Sequence, residues 1–427
     1  MNKYDLFGVG IGPFNLSVAA LFEKIKDKKA LFCDAKEFYS WHSEILFDDA
    51  TMQTSFLKDL VTSVDPTNPY SFLNYLVTEG LFHSFMNTSR TGLKRREFEL
   101  YCRWAAEKME DRCQFSTEIH EISFKDQNFL IKTNRGKYQA SNLCLASGPV
   151  PKVPECTERF LGKDVFHAKS VHLSKANFKE KNIVIVGGGQ TGIEIFRNTL
   201  NGQFGEFKSL KLMTARNNLE PLENSPFINE YFTPQYVDLF YHADASVKKS
   251  LLNEQKMASD GNTPEYLDLL YNDLYQFKFI QQDSRLVAIH PCHLLQEIDK
   301  KPVGLELQFW NSFHLQTELH QADIVILATG FETKVPRYLE PMLGQIELIE
   351  DGAFKLNPDF SLNWEHDQSH KIFALNFSRQ GHGIAEPQLS LMAWRAAVIL
   401  NEFCGEDLYP LRSYRPLLVD FGEKRHG

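Results

Sequence analysis

Two glycine-rich turns, far apart in the chain, constrain its fold more than any other feature. The first lies in Tyr4-Asp5-Leu6-Phe7-Gly8-Val9-Gly10-Ile11-Gly12-Pro13-Phe14-Asn15-Leu16. The second lies in Asn182-Ile183-Val184-Ile185-Val186-Gly187-Gly188-Gly189-Gln190-Thr191-Gly192-Ile193. Each reads as a buried strand, a glycine turn and a helix. One such turn is weak evidence. Two of them, about 180 residues apart in a chain of 427, predict two dinucleotide-binding units. One glycine permits the tight strand-to-helix turn, and another lets the backbone approach a pyrophosphate. The helix N-terminus then meets the negative charge with free N–H groups and its dipole.

The strands that follow the two turns differ. Ala30-Leu31-Phe32-Cys33-Asp34 ends in an acid about 20 residues past Gly12, where a ribose-binding carboxylate belongs. Leu210-Lys211-Leu212-Met213-Thr214 has no terminal acid, and Arg216 follows it. A cation there favours the 2′-phosphate of NADPH over the free hydroxyl of NADH. The pair reads as a flavoprotein with a second, NADPH-binding unit.

Further strands are expected at Leu143-Cys144-Leu145-Ala146-Ser147-Gly148, at Asp323-Ile324-Val325-Ile326-Leu327-Ala328-Thr329-Gly330 and at Ile372-Phe373-Ala374-Leu375-Asn376. Helices are expected over residues 95–109, 265–277 and 388–403. Pro149, Pro151 and Pro154 mark a crossover between domains. The fold class is α/β, with two Rossmann-like dinucleotide-binding domains and a small, mainly helical insertion for substrate. The expected boundaries are 1–165 and 325–427 for the FAD domain, 166–217 and 281–324 for the NADPH domain, and 218–280 for the insertion.

A net charge of −9 argues against general nucleic-acid binding. Seven scattered cysteines without a CxxC pair argue against a disulfide framework and favour a reducing compartment. No basic, apolar-cored leader opens the chain, and no uncharged apolar run is long enough to span a bilayer. The expected location is the cytoplasm. A homo-oligomer, dimer or tetramer, is compatible with such a chain, and nothing in the sequence chooses the state.

Several internal segments carry a family resemblance. They are Met52-Gln53-Thr54-Ser55-Phe56-Leu57-Lys58-Asp59-Leu60, Asp65-Pro66-Thr67-Asn68-Pro69-Tyr70-Ser71-Phe72, Ser225-Pro226-Phe227-Ile228-Asn229-Glu230-Tyr231-Phe232 and Ala385-Glu386-Pro387-Gln388-Leu389-Ser390. With the two glycine turns and Leu327-Ala328-Thr329-Gly330, they resemble the flavin-dependent N-hydroxylating monooxygenases of siderophore biosynthesis from end to end. The lysine N6-hydroxylating branch is the nearest match, with ornithine, histamine and diamine branches beside it.

That resemblance implies FAD, NADPH and O₂, and hydroxylation of a small primary amine, lysine or a relative such as histamine, by a C4a-hydroperoxyflavin. Putrescine and cadaverine are alternative substrates. A flavin monooxygenase acting on carbon or sulfur is the alternative chemistry, and a flavin disulfide reductase would need a redox dithiol that the sequence lacks. By position, the resemblance assigns Gly8, Gly10, Gly12, Pro13, Asp34, Trp41, His42, Gln53, Thr329, Gly330 and Ser390 to the flavin side. It assigns Gly187, Gly189, Gln190, Thr191, Gly192 and Arg216 to the nicotinamide side. Gln53, Asn229 and Ser390 are the expected catalytic set, and Lys58, Asn229, Asp260 and Leu389 the expected substrate contacts. Lys58 would meet a substrate carboxylate. Asp260 departs from the asparagine of ornithine-specific members and would suit a cation.

Two features stand outside this reading. His290-Pro291-Cys292-His293 has metal-binding residue types, but proline interrupts it and no third ligand lies at a characteristic spacing, so no metal is expected. His382, between Gly381 and Gly383, fits equally a turn and a place beside the substrate segment.

Overall fold

The computed structural model describes residues 2–350, 352–366, 369–411 and 418–422. Two sheets dominate. The first is seven-stranded and is built outward from Asn2–Val9, which pairs in parallel with Ala30–Cys33 on one side and Gly136–Leu145 on the other. Cys113–Gln114 extends the first edge. Asn128–Thr133 and Ile119–Lys125 form an antiparallel extension of the other. Ile372–Ala374 then pairs in parallel with the end of Gly136–Leu145, so the chain returns to its first unit after completing the second.

The second sheet is wholly parallel, in the order Val165–His167, Ile324–Leu327, Asn182–Val186, Ser209–Met213 and Leu286–His290. The strand Ile324–Leu327 sits in the middle of this order. The boundary expected at 324/325 therefore cuts through a strand of the second unit, and that at 165/166 cuts through another. Val150–Pro151 and Phe331–Glu332 pair antiparallel and carry the chain out of and back into the first unit.

One element had no counterpart in the sequence reading. His293–Lys301, Gly304–Asn311 and Gln316–Ala322 form a separate antiparallel sheet of three strands. Its buried Leu305, Leu307 and Phe309 pack with Val184, Met213 and Val325 of the second sheet.

The region 218–280, expected as a helical substrate-binding insertion, packs its helices on two different cores. Pro264–Tyr275 places Tyr266 and Leu270 in the same core as Ile193, Ile195 and Phe196, so it belongs to the second unit. Pro234–His242 instead packs Val237 on Ala385 and Leu391 of the returning segment. The region is shared because each helix has an apolar stripe, and the two stripes face different cores.

Candidate active site

The first glycine turn leads into the helix Pro13–Leu21, all nine residues of which are buried. Pro13 occupies its first turn, where no N–H is needed. Gly10 has φ +86°, and a Cβ there would lie 2.6 Å from the Ala146 carbonyl oxygen. Only glycine fits both conditions. Gly8 is a packing glycine: a Cβ would meet the Phe32 ring at 2.0 Å. A Cβ on Gly12, by contrast, would find nothing within 4 Å, which leaves the turn open to an approaching phosphate.

The turn is held from within. Asp34 accepts from the Ile11 N–H at 2.8 Å with one carboxylate oxygen and from the Lys36 N–H at 2.9 Å with the other. Buried Asn15 donates to Gly10 O at 2.8 Å, Cys144 O at 3.1 Å and Val9 O at 3.2 Å. Asp34 lies outside the cavity lining and shapes the loop, whatever it gives a ribose.

The second turn follows the same plan with other supports. Gly187 has φ +125°, and a Cβ would stand 2.2 Å from Ala328 O. Gly192 lies so close to Gly187 O that no side chain fits. Here the pinning groups come from outside the turn. Asn262 donates to Gly188 O at 3.0 Å, and Gln190 accepts from the Thr263 N–H at 2.8 Å. Arg216 reaches back over the turn and donates one terminal nitrogen to Asp260 O at 3.1 Å. Its other terminal nitrogen is buried with no protein partner.

Both turns open into one cavity of about 1340 Å³. Gly12, Pro13, Trp41 and His42 line it from the first unit; Gly187, Gly189, Thr214 and Arg216 line it from the second. Thr329 and Gly330 lie between them. Burial and nearby cations push the His42 pKa down to about 3, so the ring is neutral, and its Nδ1 has no protein partner. Lys36, Lys152 and Lys169 also face this space, a cationic lining suited to phosphates.

A smaller chamber of about 420 Å³ adjoins the cavity. Gln53, Gln190, Thr191, Asp260 and Leu389 line it. The Gln53 amide is exposed and donates to Thr263 Oγ1 at 3.4 Å. Ser390 is buried beside Leu389, and its hydroxyl has no protein partner. The segment 385–389 is held by Arg395, which is 1 % exposed and donates to Ala385 O, Glu386 O and Gln388 O. Burial lowers the Arg395 pKa to about 10, and the buried Glu386 carboxylate opposes that shift.

Two of the expected substrate contacts fall elsewhere. Lys58 and Asn229 are exposed, and neither lines either space. Desolvation still lowers the Lys58 pKa, so its ammonium is partly flanked by protein. Buried Asp59 sets its turn by accepting from the Val61, Thr62 and Phe72 N–H groups. The turn that carries Asn229 packs through Phe232 near Ala385 and Leu391, which brackets Ser390. Asp260 does line both spaces, but its carboxylate is not free for a cation: Arg379 donates to it at 3.3 Å. His382 resolves as a structural residue. It is 2 % exposed, bonds Ser378 Oγ at 2.6 Å through Nδ1 and stacks on Phe360.

The sequence reading missed Asn15, Asn262, Lys169 and the pair Arg95–Glu194. Glu194 is fully buried on the helix Gln190–Leu200 and meets Arg95 of the first unit in two contacts, 2.7 and 2.9 Å. An acid flanked by Ile193, Ile195 and Phe196 was the one available signal, because an apolar helix face buries a carboxylate only with a partner.

Comparison with known proteins fits this geometry. The family model described as L-lysine 6-monooxygenase/L-ornithine 5-monooxygenase matches residues 2–333. The chain is 40% identical over 419 residues to L-lysine N6-monooxygenase of Escherichia coli, covering 98% of each chain. It is 30% identical to putrescine N-hydroxylase of Acinetobacter baumannii, covering 96% of this chain and 91% of the relative. Among solved structures, the FAD-bound cadaverine monooxygenase of desferrioxamine biosynthesis from Erwinia amylovora superposes with a TM-score of 0.91. It has 26% identity and covers 99% of both chains.

Proposed function

The chain belongs to the L-lysine 6-monooxygenase/L-ornithine 5-monooxygenase family, and from that premise we propose that it hydroxylates the terminal amine of L-lysine at N6. It is an FAD- and NADPH-dependent monooxygenase that uses O₂, of the N-hydroxylating type found in siderophore biosynthesis. When bound, FAD and NADPH would supply hydride transfer and oxygen activation; the protein's share is to bind, orient and exclude water. The observation that carries the proposal is the single cavity onto which both glycine turns open, with the Gln53 chamber beside it.

The chain's own residues have defined tasks in this reading. The first turn and helix Pro13–Leu21 receive the FAD pyrophosphate, with Lys36 and Lys169 nearby. Arg216 offers its unpaired nitrogen to the NADPH 2′-phosphate. Gln53 presents its amide where the two cofactors meet, and Ser390 adds a free hydroxyl behind Leu389. An alkyl ammonium, with a pKa of about 10.4, has no lone pair to attack oxygen. The chamber must therefore favour the neutral amine by desolvation. Asn229 and Lys58 serve the amino-acid end, with Lys58 meeting the carboxylate. The free cysteines and the need for NADPH fit a cytoplasmic setting.

A diamine such as cadaverine is the second reading. It is favoured by one observation, that Lys58 lies outside the lining of both spaces. Lys58→Ala separates the two. With lysine as substrate, KM should rise roughly 10- to 100-fold, the worth of a charge-assisted contact, with little change for cadaverine. Equal, small changes for both amines, with cadaverine the better substrate of the unmodified enzyme, would establish the diamine reading.

A further inference from the structure

The three-stranded antiparallel sheet gathers a set of side chains that neither cofactor uses. Its pairing register sets His293 opposite Asn311, Asn311 opposite Gln316, Phe309 opposite Glu318, and Leu307 opposite His320. Residues that alternate along a strand share a face, so His293, Glu318 and His320 project to the same side. His290, at the end of the adjoining strand Leu286–His290, joins them from the second sheet. The sequence reading found no third ligand beside His290 and His293; strand register supplies two.

The geometry is that of a ligand set. One donor atom from each of His293, Glu318 and His320 lies within 4.8 Å of the others. His293 Nε2 is 3.1 Å from Glu318 Oε2, and His320 Nε2 is 3.7 Å from the same oxygen. In a tetrahedral zinc site, bonds of about 2.0–2.1 Å put neighbouring donors about 3.3 Å apart. The observed separations bracket that value. The His290 ring centroid is 5.3 Å from that of His293 and 5.4 Å from that of His320. The Nε2 atoms of His290 and His320 are both buried without a hydrogen-bond partner.

The surroundings orient these donors as a second shell does. His293 is 6 % exposed, and its Nδ1 lies 2.6 Å from Pro291 O. That contact requires Nδ1–H, so a neutral ring turns the Nε2 lone pair toward the Glu318 oxygen. Two lone pairs at 3.1 Å need a cation between them, either a proton or a metal. Glu318 Oε1 is anchored by Asn311 at 2.7 Å and Gln316 at 3.1 Å, which leaves Oε2 for the histidines. A carboxylate and neutral imidazoles are the protonation states that bind metal. One group opposes: Lys211 Nζ lies 3.3 Å from His320 Nδ1.

We propose that His293, His320 and Glu318 form a three-ligand binding site for a divalent transition-metal ion, zinc best matching the two-imidazole, one-carboxylate set, with His290 packed beside it. The ion would tie the first strand of the three-stranded sheet to the last. It would also stiffen the nicotinamide side. The Thr214 N–H donates to His290 O at 3.0 Å, the His293 N–H donates to Thr214 O at 2.8 Å, and the Cys292 N–H donates to Arg216 O at 2.8 Å. The turn that bears His293 thus braces the backbone of Thr214 and Arg216.

The test is zinc binding by the FAD-loaded enzyme after treatment with a chelator, read by competition with a chromophoric zinc indicator. One equivalent should bind, with a zinc-dependent rise in Tm. His320→Gln should weaken binding at least about 10-fold while FAD content is unchanged, as expected for loss of a ligand. Lys211→Met should tighten it, because it removes a neighbouring cation; this second variant guards against misfolding of the first. Cobalt(II) should give the visible absorption of a tetrahedral site. No stoichiometric binding by the unmodified enzyme would overturn the proposal and leave a His293–Glu318 ion pair. So would binding that neither substitution alters.

Discussion

The two glycine turns share a plan and differ in what holds them. The first is pinned by its own unit: Asp34, Asn15 and the wholly buried helix Pro13–Leu21. The second is pinned by residues from a distant stretch, Asn262 and Thr263, and by Arg216, which also spans to Asp260. A turn braced by its own core suits a cofactor that stays bound. A turn braced by a loop far along the chain suits a nucleotide that comes and goes, because that loop can shift while the strand and helix of the turn stay folded.

The largest expected effect comes from the turns themselves. Gly10→Ala forces a side chain toward Ala146 O at positive φ, and the purified protein should lose most of its FAD absorbance. Gly187→Ala creates the same clash against Ala328 O. It should keep FAD yet slow flavin reduction by NADPH on the order of 100-fold. If both variants lose FAD alike, the two units are not independently braced.

Next in size is the joint between the units. Arg95→Ala leaves Glu194, with 0 % side-chain exposure, without its cation. Breaking such a buried pair costs about 3–5 kcal/mol. Urea denaturation measures it, and Glu194→Leu in the same background should recover part of the loss. A change under about 1 kcal/mol would mean that the pair behaves as a surface contact.

Much of this frame was legible in the sequence, and the reasons are local. Strand, glycine turn and helix are contiguous, so Gly10, Gly187 and Arg216 could be placed by counting. The apolar runs around residues 143–145, 324–327 and 372–374 each read as buried strands. Sheet membership was not legible, because Ile324–Leu327 is equally apolar in either sheet. Nor was the division of residues 218–280 between two cores, since an amphipathic helix does not name its partner. Asn15 and Asn262 escaped notice because a buried asparagine acquires meaning only from the carbonyls it meets. The third and fourth members of the histidine cluster depended on antiparallel register, which the sequence pattern did not reveal.

A smaller effect sharpens the comparison at the nicotinamide side. Arg216→Ala should raise KM for NADPH roughly 10- to 100-fold and leave KM for NADH nearly unchanged. An unaltered NADPH preference would remove Arg216 from the 2′-phosphate site.

A pH dependence is expected on the first unit's side. Burial lowers His42 and His382 to about 3, against an ordinary value of about 6.5. The unfolded chain therefore binds more protons below about pH 6.5. Stability from these two rings is complete above that pH and is lost as pH falls toward 3, with a limiting slope of about 1.4 kcal/mol per pH unit for each ring. Urea midpoints should fall between pH 7 and 5, and His382→Asn should make that fall shallower. Identical slopes in the two proteins would remove His382 from the linkage.

The central claim is that the two turns serve one reaction at one amine. It is tested most directly by measuring hydroxylamine formed per NADPH consumed, in air, with lysine, ornithine, putrescine and cadaverine offered separately to the FAD-loaded enzyme. A ratio near one is expected with lysine, and lower ratios with the others. NADPH consumption with hydrogen peroxide as the product, and no hydroxylamine from any of the four amines, would contradict it.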